Sequence, residues 1–140
     1  MATSSRQTSP DLGLLILRLG TGFLLLLHGI AKLQHGHDAI KGMLTRKGLP
    51  EILWLGVPLT EVLCPVFLIL GFFTRFSGLG IATVMAFSIY LAKSTEAFTL
   101  TRTGGLSGEL NLLFLCCGLA LFFTGGGKYA VYRPGNQWLK

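Results

Sequence analysis

The chain has 140 residues, of which 51% are hydrophobic and only 13% charged. Soluble domains carry about 25% charged residues and expose them, so this deficit excludes an ordinary soluble domain and points to a surface bathed in lipid. The net charge of +6, from 12 basic and 6 acidic residues, does not mark a nucleic-acid binder. The basic residues are scattered through short polar segments instead of lying on one stripe, and contact with anionic lipid headgroups accounts for them.

Residues 1–11 read as a polar, flexible tail. The apolar run behind it is too long for the core of a secretory leader and lacks a small-residue cleavage site, so it is expected to stay as a first helix. That helix covers about 12–33, opened by Ser9-Pro10-Asp11, with proline and an acid placed to start it. At about 100° per residue, Arg18, Thr21, Gly22, Leu25, His28, Gly29 and Lys32 gather on roughly a third of the circumference. Small and polar residues belong on the bundle side of a membrane helix, and the leucines opposite belong to lipid.

The segment 34–50 is too polar to span. Within it, residues 39–47 place Ile40, Met43 and Leu44 on one side, which predicts a short amphipathic helix lying at the interface and ended by Gly48. A second spanning helix follows at about 51–73, interrupted by Pro58 and Pro65. Each proline removes one backbone bond, freeing the carbonyls of Trp54 and Glu61, and freed groups at this depth must face protein or a wet cavity. A Gly71-Phe-Phe-Thr-Arg75 turn leads to a third helix at 76–97, whose far end is polar and where Lys93 and Glu96 are spaced to pair. A hydrophilic loop precedes the fourth helix at 109–124, which is followed by a Gly125-Gly-Gly-Lys128 exit and a basic tail at 134–140. Helices of about 20 residues are needed to cross the hydrocarbon, and four nearly exhaust the sequence. The expected fold is an all-α membrane protein. It is a four-transmembrane-helix antiparallel bundle with a short amphipathic interfacial helix between helices 1 and 2, forming one domain over 12–133.

Glu61 lies near the middle of the second apolar stretch, where a carboxylate costs about 2.5–3.5 kcal/mol on insertion scales unless it is partnered or neutralised. Aligning the ends of the first two helices sets Glu61 level with Phe23, between Arg18 and His28. A long Arg18 side chain is therefore the expected partner, either as a structural ion pair or as part of a proton-active site. His28, with an intrinsic pKa near ~6.5, is a candidate for proton transfer beside Glu61. Arg18, His28, Lys32, Glu61 and Glu109 are the candidates for lining a ligand cavity. Lys32 is equally explained by snorkelling to the headgroups, and Glu109 by the dipole at a helix start. Cys64, Cys116 and Cys117 form no C-x-x-C pair and read as packing residues. His35-Gly-His37-Asp38 lacks a second ligand group, so no metal or haem site is expected, and the chain carries no recognisable flavin motif.

These residues together resemble the DoxX family of small four-helix membrane proteins. The resemblance lies in Leu17-Arg18-Leu-Gly-x-Gly22, His28-Gly29-x-x-Lys32, Glu61, Gly71-x-x-Thr74-Arg75 and the glycine-rich exit, and it covers about 12–133. The ending Gly-Gly-Gly-Lys-Tyr-Ala-Val-Tyr departs from the family's common Gly-Pro-Gly-x-x-Ser-x-Asp. The resemblance implies a multi-pass protein of a bacterial or archaeal cytoplasmic (inner) membrane, with both termini cytoplasmic. Charge alone does not orient the chain, since with Arg18 set aside five basic residues on the side of the termini face six on the other. Relatives are associated with thiosulfate:quinone oxidoreductases and with membrane complexes against oxidative or thiol stress, and distant ones act as assembly chaperones. The leading expectation is a membrane subunit of a quinone-linked oxidoreductase, holding a quinone headgroup or its protons while a protein partner supplies electrons. An assembly or anchoring factor is the alternative. A small transporter comes third, since four helices are few for alternating access without a homo-oligomer.

Overall fold

A computed structural model describes residues 8–93 and 96–132, without the side chains of residues 8, 9, 92 and 93. The end of the tail at 1–7, the basic tail at 134–140 and the expected Lys93–Glu96 pair lie outside the described residues.

Helix α1 runs over Thr8–His35 and α2 over Asp38–Arg46. The buried face of α1 is the polar and small stripe: Arg18, Thr21, Gly22, Leu25 and Gly29 turn inward, while Ile16, Phe23, Leu27 and Ile30 are exposed. α2 is the amphipathic segment, burying Leu44 beneath an otherwise polar surface.

The second rod, 51–70, is not one regular helix. A 3₁₀ turn at Glu51–Leu55 leads to a single α turn, α3, at Gly56–Pro58. A π-helical turn follows at Leu59–Leu63, and α4 completes the rod at Cys64–Leu70. The two prolines explain the breaks, since neither Pro58 nor Pro65 has an N–H with which to keep the α ladder. The hydroxyl of Thr60 donates to the carbonyls of Gly56 (2.5 Å) and Val57 (3.2 Å), caring for acceptors on that side. Gly71 ends the rod in the left-handed conformation (φ 74°). Bonds from Gly71 N to Leu68 O and from Phe72 N to Phe67 O complete the helix-ending motif that favours glycine there.

Helix α5, Thr74–Lys93, and α6, Glu109–Thr124, form the most closely packed pair. A Cβ on Gly78 would stand 2.6 Å from the Gly118 carbonyl, and one on Gly118 2.7 Å from the Gly78 carbonyl, so the two backbones touch directly. Leu25, Leu68, Ile81, Met85, Phe114 and Leu121 meet in the core. Among the described residues, three rods, 10–35, 51–70 and 74–91, are long and apolar enough to cross a membrane. The fourth apolar helix has 16 residues, about 24 Å at ~1.5 Å per residue, which is short of a hydrocarbon core of ~30 Å.

Candidate functional site

The site is built on the contact between α1 and the π turn. A Cβ on Gly29 would overlap the Glu61 carbonyl, so glycine at 29 is what allows this approach. Lys32 follows three residues later on the same face, and its Nζ donates to Glu61 Oε1 at 2.6 Å. Glu61 is 1% exposed, and its second oxygen, Oε2, is buried without a hydrogen-bond partner. Lys32 is 40% exposed, so the pair joins a sealed carboxylate to the outer surface of the bundle. Both line a chamber of about 190 Å³, covered by Ile40 and Met43 of α2 and walled by Val57, Val84, Phe87, Ser88 and Leu91. Ser88 Oγ accepts a hydrogen bond from Asn111 of α6 at 3.2 Å, which sets the polar wall in place. Beside the chamber, between the rod and α5, lies a larger apolar groove of about 460 Å³.

Arg18 does not meet Glu61. It is 2% exposed, but its guanidinium reaches the opposite end of the bundle, where Nη1 donates to Gly126 O and Nη2 to Tyr129 O, both at 3.1 Å. Asp11 accepts from the Lys128 N–H at 2.9 Å, so two residues of α1 hold the segment 125–130. The expected register was wrong by six residues. Gly22 faces Pro65 and Gly29 faces Glu61, where end alignment had put Phe23 level with Glu61. The shift, about 9 Å at ~1.5 Å per residue, arises because the 3₁₀ turn packs chiefly against α2, beyond the end of α1.

His28 also departs from its expected inward direction. It sits at the edge of the α1 stripe and is exposed, with Nδ1 donating to the Leu24 carbonyl at 2.8 Å and its ring edge-on to Phe114. Glu109 is exposed in the first turn of α6, its carboxylate over Gly105. Of the five candidate residues, the structure therefore brings only Lys32 and Glu61 to one cavity. The sequence left Lys32 between the cavity and the headgroups; the usable signal was Gly29 one turn before it. Cys116 is exposed and not packed inside, and all three cysteines are free. Among the described residues, no three His, Cys, Asp or Glu side chains are grouped to hold a metal. His37 instead lies against Trp54, over which Lys41 also sits, 4.9 Å from the ring centre.

Comparison with known proteins gives a consistent family. A family model described as DoxX matches residues 13–94. An uncharacterized protein of Haemophilus influenzae is 30% identical over 118 residues, covering 84% of this chain and 87% of its own length. No solved structure matches.

Proposed function

The chain belongs to the DoxX family of membrane proteins, and from that footing we propose that it is the membrane subunit of a quinone-linked oxidoreductase complex. The observation that carries this reading is the state of Glu61: one carboxylate oxygen on Lys32, the other buried, unpartnered and lining a small chamber at membrane depth. An unsatisfied buried oxygen costs about 1–3 kcal/mol, a cost removed by the donating hydroxyl of a quinol, or by a proton on Glu61 that then donates to a quinone carbonyl. Reduction of a quinone consumes protons together with electrons. Glu61 holds or gives the proton, and Lys32, partly exposed, relays charge between the carboxylate and the outside. No flavin, haem or iron–sulfur motif is present in the sequence, so the electrons are assigned to a protein partner.

Glu61→Gln keeps the volume of the side chain and removes its charge. The variant is expected to fold and to assemble with its partners, and to lose quinone-dependent turnover of the complex. Titration of the purified protein with a water-soluble quinone should show saturable binding to the wild type, weakened by about 1–3 kcal/mol in Lys32→Met. A wild type that shows no saturable binding, alone or with co-purified partners, defeats the reading. It would favour a second one, a non-catalytic assembly or anchoring factor, which draws on Arg18: a buried cation that holds two backbone carbonyls through Nη1 and Nη2 fixes one packing.

A further inference from the structure

The chamber is too small for more than a headgroup. At about 190 Å³ it is roofed by Ile40 and Met43 on the α2 side, so a long substituent on a bound headgroup must leave by another wall. Three residues, Val57, Val84 and Phe87, line both the chamber and the 460 Å³ groove. The two spaces therefore adjoin at these three side chains. The groove runs between the rod and α5, and Leu53, Leu79 and Phe76 on its rim are exposed on the lipid-facing surface.

We propose that this groove seats the hydrocarbon or isoprenoid tail of a membrane-dissolved amphiphile whose head occupies the Glu61–Lys32 chamber, and that the ligand arrives sideways from the bilayer between the rod and α5. This rests on the reading of the chamber as a headgroup site. The hydrogen-bonding inventory of the groove argues for a tail and against a head. Its two hydroxyls are both committed to their own helices, Thr60 to the Gly56 and Val57 carbonyls and Thr83 to the Leu79 carbonyl at 2.9 Å. A polar head passing along the groove finds nothing to hold it until it reaches Lys32 and the free oxygen of Glu61. An apolar tail loses nothing by staying, and gains packing against Leu53, Leu79 and Phe87. The order of polarity, apolar outside and charged within, sets the direction in which an amphiphile lies.

Gly56 provides the test. A Cβ there meets nothing within 4 Å and Gly56 lines the groove, so Gly56→Phe adds a ring to the lining without displacing backbone, and Thr83→Phe adds one from α5. Two quinones with the same head, one tail-less and one carrying a long saturated tail, are titrated into the protein in nanodiscs. Their affinities are compared on the mole fraction in lipid for the long-tailed one. Both variants are expected to weaken the long-tailed quinone about tenfold and to leave the tail-less one unchanged. Long-tailed binding that survives both substitutions overturns the tail site, as does equal weakening of both ligands. In those outcomes the headgroup reading stands, because the tail-less quinone still binds the wild type. A wild type that binds neither quinone removes the headgroup reading and the tail site together.

Discussion

A carboxylate sealed in a membrane bundle is stable only with its partner in place, and Lys32 is that partner for Glu61. Lys32→Met should strand the Glu61 carboxyl without its partner. A fully buried pair loses about 3–5 kcal/mol on such a cut, and the 40% exposure of Lys32 brings the expectation down to about 1–3 kcal/mol. Changing both residues, Lys32→Met with Glu61→Leu, should cost less than the sum of the single changes, which a double-mutant cycle of unfolding in mixed micelles measures. Additive losses would mean that the two side chains do not interact. The need for a partner was legible in the sequence, since Glu61 stands alone in its apolar stretch. Its identity was not, because Arg18, His28 and Lys32 share one stripe and differ only in height. That height depends on where the 3₁₀ turn at Glu51–Leu55 packs, a tertiary matter that no property of residues 12–33 encodes.

At the level of elements, the rod 51–70 is shaped by the spacing of its prolines. Pro58 and Pro65 frame one π turn, a device that recurs at functional sites and here carries Glu61 at its centre. The bend was readable from the prolines, whereas the widened turn was not, because proline removes a bond without specifying what replaces it. The approach of α1 to this turn is the element's weak point. Gly29→Ala would drive a methyl group into the Glu61 carbonyl, and overpacking of this kind costs typically about 1–3 kcal/mol. The substitution should lower the unfolding midpoint and also separate Lys32 from Glu61, so quinone binding should fall with stability. Gly20→Ala on the exposed face of α1, where a Cβ meets nothing within 4 Å, is the control that should lower neither.

For the whole molecule, the open matter is how a helix of 16 residues shares a bilayer with three longer rods. α6 lies along α5 through the Gly78–Gly118 contact, so it is held at the depth its neighbour dictates. If α6 crosses, Arg102 in the loop before it and Lys128 after it lie on opposite faces of the membrane. Single cysteines at those positions, in a background without the native three, should then react with an impermeant thiol reagent from opposite sides of sealed vesicles. Reaction of both from one side would make α6 a helix that enters without crossing. The number of apolar helices was plain from composition and hydropathy. The shortfall in the last of them was overlooked because 109–124 reads as apolar on every face, which obscures how little of the membrane it covers.

The bonds of Arg18 have a consequence for the order in which the molecule can be made. Its two acceptors, the carbonyls of Gly126 and Tyr129, lie downstream of every helix. A ribosome delivering this chain to the insertion machinery therefore releases α1 with an unanswered cation, at a penalty below the roughly 2.5–3.5 kcal/mol of a mid-membrane arginine because Arg18 reaches toward one end of the bundle. Its leucines must carry the helix into lipid regardless. Only when the 125–130 segment emerges can the arginine be satisfied and the first helix settle into its final place. Synthesis of this protein is thus a circle: the piece made earliest is the piece completed latest.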